Sequence, residues 1–223
     1  MPQIHPQTQH SILKPLNPQL FRVCIGVLLG DASLQKNTSK SICKHRLKFL
    51  HGALHKHGAY LLHLHHIFQS FVISPPFHNV ERGTLAFCTV FSSHSNCLAP
   101  ILFPRGGKKG IGEWFENKRI TPRTLAYWFM DDGGLLCYNK DYPRRAMVFN
   151  TQGFTLSECE ILQGNINGAY NLDSWLSDDG KGPYIVIPAH RADYLRDIVS
   201  PYMCNSMLHK LRATKAKASG NRP

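Results

Sequence analysis

Two short stretches of this chain end an apolar run on acid: VCIGVLLGDA (Val23–Ala32) and LAYWFMDDGG (Leu125–Gly134). Residues this apolar seek burial, and a carboxylate carried inward is costly unless something positive satisfies it. Asp31 closes the first run and Asp132 closes the second, 101 positions later. Read as helices over residues 20–31 and 121–132, each run delivers its acid to a C-terminal end. Free carbonyl oxygens already carry partial negative charge there, so an acid gives the helix itself no benefit. Gly26 and Gly30 lie four apart on one face of the first helix, and Ala126 is small in the second. Small residues let helices approach closely, so the two are expected side by side and parallel. Asp31 and Asp132 then converge with carbonyl oxygens into a hard, oxygen-rich site. Mg²⁺ suits such a site, with water and phosphate oxygens completing its shell. Gly133 and Gly134 are read as letting the chain turn away from it without side-chain clash.

The elements that must position these acids repeat as well. The same offset pairs Arg22 with Arg123, Leu34 with Leu135, Gly52 with Gly153, Leu61 with Leu162, Pro100 with Pro201 and Lys109 with Lys210. Thr121 is a cap and Pro122 suits the first helical position of the second motif. Strand character follows each acid, over Ser33–Lys36 and Arg46–Gly52, and over Leu135–Asn139 and Ala146–Gln152. Helices come next, near Gly58–Phe71 and Leu156–Ala169, the latter capped by Thr155 or Ser157 with acids in its first turn. Gly83–Phe91 and a hairpin around Asp178–Gly182 read as further strands, and helices near Asn96–Phe103 and Arg191–Ser200 close the halves. The fold class is α+β, an α-β-β-α-β-β-α unit used twice. Residues 1–19 read as an arm rich in Pro and Gln, 20–115 as the first half, 116–211 as the second and 212–223 as a basic tail.

The composition names a partner class. The formal net charge is +12 over 223 residues, an excess that points to a polyanion, most often nucleic acid. Asp31 is the sole Asp or Glu among residues 1–80. Seven Cys, an odd number without a CxxC pair, argue against a disulfide framework or a zinc finger. No apolar run approaches the roughly 18 residues a bilayer span needs, and the first twenty residues lack the apolar core of a secretory signal. The protein is therefore expected to work where it is made.

CIGVLLGDA and LAYWFMDDG resemble the two signature helices of the LAGLIDADG homing endonucleases. The second motif, NTQGFTLSE (Asn150–Glu158) and SPP (Ser74–Pro76) are similar to the monomeric, double-motif group, and the likeness runs over roughly residues 20–212. The resemblance implies two pseudo-symmetric halves whose antiparallel sheets form a saddle in the DNA major groove, with the motif helices between them. It implies that Asp31 and Asp132 hold divalent metal at the scissile phosphates, helped by the backbone carbonyls of Gly30 and Asp131. It also implies a catalytic lysine in each site, Lys109 and Lys210 by position. Gly30 stands where the second motif has Asp131, which leaves the metal-binding acid in place. Metal-activated water then attacks phosphorus in line on both strands, leaving short 3′ overhangs. Mg²⁺ is the expected cofactor, with Mn²⁺ substituting and Ca²⁺ binding without supporting cleavage. Family habit suggests an intron reading frame translated in an organelle, chloroplast or mitochondrion, and a role in intron mobility.

Recognition should fall to the strands, where period-two alternation gives each one face for the core and one for DNA. Candidates are Arg46, Lys48 and His51 in RLKFLHG, and Asn139, Lys140, Arg144, Arg145 and Gln152 in the second half. Arg suits guanine edges and Asn or Gln suits adenine, although phosphate contact is the commoner role. Fused, unlike halves imply a monomer on a long asymmetric double-stranded site rather than a palindrome. Seven of the 13 His fall between His45 and His66 without a zinc-like spacing. RGGKKG (Arg105–Gly110) does not match a phosphate loop and is read as a connector bringing Lys109 to the site. Two other functions share the scaffold: a maturase that binds intron RNA, and a DNA-binding regulator that does not cut. Both acids and both lysines are present, which favours the nuclease.

Overall fold

The computed structural model describes residues 16–38, 42–53, 55–136 and 146–211. Helix α1 (Pro18–Leu29) starts where the Asn17 side chain accepts the Gln19 N–H at 2.7 Å, and α5 (Pro122–Asp132) starts where Thr121 accepts the Thr124 N–H. Each has proline in its first turn, where the missing N–H is not needed. Residues Val23–Leu29 and Thr124–Met130 are buried without a break. A helix apolar all round belongs in a core rather than on a surface, and these two lie against each other at the centre of the molecule.

They run parallel. At the N-terminal end Arg123 Nε donates to Gln19 Oε1 at 3.0 Å, and Thr124 Oγ1 donates to the Arg22 carbonyl at 3.1 Å. At the C-terminal end the Asp31 N–H donates to Asp131 Oδ2 at 3.2 Å. Between these points a Cβ at Gly26 would sit 2.5 Å from the Thr124 carbonyl oxygen and 2.7 Å from Tyr127 Cβ. The absent side chain is what lets the backbones approach. Large Tyr127 is accommodated because its Cβ, not its ring, occupies the crossing.

Each motif helix leads into a four-stranded antiparallel sheet. Strands β1 (Ser33–Lys36), β2 (His45–Gly52), β3 (Phe77–Asn79) and β4 (Thr84–Cys88) form the order β1-β2-β4-β3. Strands β5 (Gly133–Leu136), β6 (Ala146–Phe149), β7 (Trp175–Asp178) and β8 (Pro183–Ile187) form β5-β6-β8-β7, the same topology. Helices α2 (His55–Ile67) and α3 (Ser93–Leu102) complete the first set, and α6 (Leu156–Tyr170) and α7 (Ala189–Val199) the second. The short α4 (Trp114–Asn117) lies between the sets, and a 3₁₀ run over Asn205–Leu211 follows the last. One hydrophobic cluster includes both motif helices and both inner sheet faces, from Leu47, Phe49 and Phe87 to Met147, Phe149 and Ile185. Among the described residues no helix is long and apolar enough to cross a membrane.

Several expected boundaries move. Helix α1 stops at Leu29, with Gly30 as its cap donating to the Gly26 carbonyl, so Asp31 lies just beyond the helix rather than in its last turn. Helix α2 ends at Ile67 and a separate 3₁₀ turn takes Gln69–Phe71. Strand β3 has no apolar signature, since Phe77 and His78 are both exposed. Gly133 is not a turn residue: its φ of −78° and ψ of 151° are extended backbone, and it opens β5. A Cβ there would overlap the Phe129 ring, so close approach, not turning, is what requires glycine. Asn139, Lys140, Arg144, Arg145 and the terminal arm and tail fall wholly or largely outside the described residues.

Candidate active site

The paired helix tips bring Gly30, Asp31, Asp131 and Asp132 together. A side chain at Gly30 would collide with the Asp131 carboxylate. Glycine in the first motif and aspartate in the second are therefore one complementary arrangement: the missing Cβ makes room for Asp131, whose Oδ2 holds the Asp31 backbone N–H at 3.2 Å. Asp132 is fixed from the other side. Its carbonyl accepts both the backbone N–H and the Nδ2 of Asn150, each at 2.9 Å. The following Thr151 is fully buried and donates through Oγ1 to the Pro183 carbonyl at 2.9 Å. The physical task of NTQGFT is to clamp the strand beside the acid.

Lys109 and Lys210 both arrive from elsewhere in the chain. Lys109 Nζ donates to the Gly30 carbonyl, and Lys210 Nζ donates to the Asp131 carbonyl at 2.7 Å. These are the two carbonyls expected to face a metal. Burial lowers both ammonium pKa values, against the opposing pull of the three aspartates.

Burial and mutual repulsion disfavour the ionised forms of Asp131 and Asp132. Burial, then the neighbouring Asp31 charge, pushes the Asp132 carboxyl up to about 6 even though both lysines pull it down. Burial and Asp31 likewise hold Asp131 well above the ordinary carboxylate range, and its Oδ1 is buried without a hydrogen-bond partner. Like charges crowded in low dielectric raise one another's pKa, and a divalent cation relieves that while displacing the protons. The donor set is hard oxygen, as Mg²⁺ requires.

One expected DNA-contacting residue is elsewhere. His51 is 8% exposed, and its Nδ1 lies 3.8 Å from Asp31 Oδ2. Its burial pattern explains the difference: Leu47, Phe49 and His51 share the inner face of β2, whereas Arg46 and Lys48 point outward. Alternation by two cannot put residues 46 and 51 on one face. Asp31, His51 and Asp131 have possible ligand atoms all within 4.8 Å of one another, so His51 adds an imidazole nitrogen at the edge of the oxygen donors. Burial keeps its pKa low, partly offset by Asp31, so the imidazole is neutral near pH 7. Gln152, 101 positions on, sits in the turn after β6 rather than in a strand.

The outer sheet faces differ in chemistry. On the first, Arg46 Nε donates to Gln35 Oε1 at 3.0 Å, and the guanidinium lies over the Phe91 ring, 4.8 Å from its centroid. Lys48 stands opposite Ser33 and Cys88. On the second, Ala146, Val148 and Val186 are buried, with Leu136 and Tyr184 packed against them as a small apolar cluster.

Three comparisons bear on this geometry. The model of the LAGLIDADG DNA endonuclease family matches residues 21–195. A probable intron-encoded endonuclease 1 of Wickerhamomyces canadensis is 33% identical over 193 residues, 84% of this chain and 81% of that protein. DNA endonuclease I-ChuI of Chlamydomonas applanata is 25% identical over 219 residues, 88% of this chain and 95% of that one. The structure of the homing endonuclease I-WcaI bound to its DNA recognition sequence superposes with a TM-score of 0.79 and 30% identity, covering 92% of each chain. Since the family model spans both motifs, both sheets and most of the final helix, the chain belongs to the LAGLIDADG DNA endonuclease family.

Proposed function

We propose that this protein is a Mg²⁺-dependent homing endonuclease that hydrolyses both strands of a long, asymmetric DNA site as a monomer. Membership of the family gives the class, a DNA endonuclease. The observation that carries the finer reading is the convergence of Asp31 with Asp131 and Asp132 at parallel helix tips, where burial and the Asp31 charge raise the Asp131 and Asp132 carboxyl pKa values.

Asp31, Asp132 and the carbonyl oxygens of Gly30 and Asp131 would hold the divalent ions. When bound, the metal supplies a nucleophilic water at neutral pH and neutralises charge on the phosphate oxygens. Asp131 orients Asp31 through its backbone N–H, and Asn150 orients Asp132. Lys109 and Lys210 bring positive charge beside the acids, in a partly dry setting where it stabilises the extra negative charge of the transition state most strongly. Their lowered pKa values also make proton transfer at Nζ easier near neutral pH. Two acids and two lysines in one chain supply both strands' cuts without a second copy.

Arg46 and Lys48 are the contacts we assign to DNA in the first half. Arg46 is held by Gln35 and Phe91 in an outward pose, which suits bidentate recognition of guanine. The closer relative is named as intron-encoded, and we extend that origin to this chain: an intron reading frame, translated in an organelle, promoting intron mobility.

The test is a supercoiled plasmid bearing the intron-free host sequence, incubated with Mg²⁺ or EDTA. Linearisation in Mg²⁺ alone, and resistance once the intron interrupts the site, support the reading. An intact plasmid with tight binding to the intron RNA points to a maturase, and DNA binding without cutting to a regulator.

A further inference from the structure

We propose that Glu158 is a positioning residue for Lys109, acting from the opposite half of the molecule. The inference rests on the reading of Lys109 as a member of the catalytic site.

Glu158 stands at the third position of α6 and is only 6% exposed. Its two oxygens have separate tasks. Oε2 closes the capping box, accepting the Thr155 N–H at 2.8 Å and the Thr155 hydroxyl at 3.0 Å. That alone serves α6. Oε1 leaves its own half and accepts the Ile111 N–H at 3.1 Å and the Arg105 guanidinium. Those two donors bracket Lys109 in sequence. Between them a Cβ at Gly110 would lie 2.7 Å from Oε1, so the segment passes too close for any other residue to follow Lys109 unshifted. The segment is otherwise a tight bend. Gly106 and Gly107 have φ of 68° and 75°, and the Gly110 N–H returns to the Leu102 carbonyl at 2.9 Å. At its end Lys109 reaches the Gly30 carbonyl. Burial would raise the Glu158 pKa, but the hydrogen bonds from Thr155 and Ile111 and the Arg105 charge bring it below the ordinary value. The carboxylate is therefore ionised when it grips the segment.

The second lysine is braced differently. The position 101 residues before Glu158 is His57, an exposed imidazole. The run carrying Lys210 is held instead by Arg196 Nε on the Leu211 carbonyl at 2.7 Å. Loss of the Glu158 brace should therefore disturb one lysine and spare the other.

The experiment follows each labelled strand of the host-site duplex under single turnover in saturating Mg²⁺, alongside acylation of Lys109 and Lys210 read by mass spectrometry in the full-length protein. Lys109→Met defines the strand that depends on Lys109. Glu158→Gln should slow that same strand by about tenfold or more, leave the other within about threefold, and speed acylation of Lys109 but not Lys210. Arg105→Ala, at an exposed side chain, should do the same to a smaller degree and covers the case in which Glu158→Gln folds poorly. Thr155→Ala removes the cap while leaving Oε1, so it should lower the melting temperature without changing the strand ratio. Equal slowing of both strands by Glu158→Gln and Arg105→Ala, or unchanged Lys109 acylation, overturns the proposal. A silent Lys109→Met overturns it by a different route, because the reading of Lys109 itself then fails.

Discussion

Replacing Gly26 by alanine tests the helix pairing with a result whose sign is informative. The new Cβ would stand 2.5 Å from the Thr124 carbonyl oxygen and 2.7 Å from Tyr127 Cβ, where ordinary contact begins at 3.4 Å. One neighbour is facing backbone and the other a Cβ fixed to it, so relief requires α1 and α5 to separate by about 0.9 Å at that level. Overpacking of this kind costs about 1–3 kcal/mol, and alanine's better helix propensity returns about 1 kcal/mol. We expect a net loss of about 0–2 kcal/mol, or a melting temperature lower by up to about 8 °C for a chain of this size. The acids at the helix tips move with the helices, and a shift near 1 Å costs about 100-fold in rate. Gly164→Ala is the control. It lies in α6, is exposed, and has nothing within 4 Å of its added Cβ, so it should stabilise by about 0.5–1 kcal/mol. Thermal melts and single-turnover cleavage check both. If Gly26→Ala melts higher, as Gly164→Ala should, and cuts at the normal rate, the tight parallel pairing is wrong.

Two further predictions concern charge. Asp132 titrates near 6 in the fold against 3.8 ordinarily, so the folded chain binds this proton more tightly. Its contribution is largest below 3.8 and declines as pH rises to 6, by about 3 kcal/mol in all. In EDTA the difference in unfolding free energy between the protein and Asp132→Asn should change by that amount across this window, and Mg²⁺ should raise the melting temperature more at pH 7.5 than at pH 5. His51, whose lowered pKa has the opposite sign, is common to both proteins; a difference that stays flat with pH would refute the assignment. On the first sheet, Lys48→Ala should weaken binding across DNA sequences and lower the slope of log affinity against log salt by about 1, whereas Arg46→Ala should relax discrimination at one base pair by about 1–3 kcal/mol. Competition binding at several salt concentrations separates the two, and identical effects from both variants would contradict the distinction.

The motif helices were legible because their signal is local: an apolar run ended by acid in both, with a cap and a first-turn proline read in the second. The Asn17 cap and Pro18 of the first fell in the stretch assigned to the arm. The duplication was legible from spacing, and Gly26 from size. At Gly133 the avoidance of a side-chain clash was legible but the turn was wrong, and the clashing neighbour, the Phe129 ring, is something no local pattern reveals. His51 was assigned to the wrong face because residues 46, 48 and 51 cannot all point outward from one strand. The first-turn acid of α6 was legible as part of its cap, but the hold of Asn150 on Asp132 and of Glu158 on Ile111 was not, since each acts on backbone far away in sequence. Strand β3 escaped notice because Phe77 and His78 are exposed and its pairing with β4 is a tertiary fact. The apolar cluster of Ala146, Val148 and Val186 on the second sheet emerged only when β6 and β8 were seen in register.

The most direct measurement is metal-dependent cutting of the host-site plasmid by Asp31→Asn and Asp132→Asn, with DNA binding measured in EDTA. The account predicts that each variant binds DNA at least as well as the parent and cuts at least about 100-fold more slowly in Mg²⁺, given what even outer-shell changes cost a metal site. Parental cutting rates in both variants would mean that the converging carboxylates are not where the metal acts.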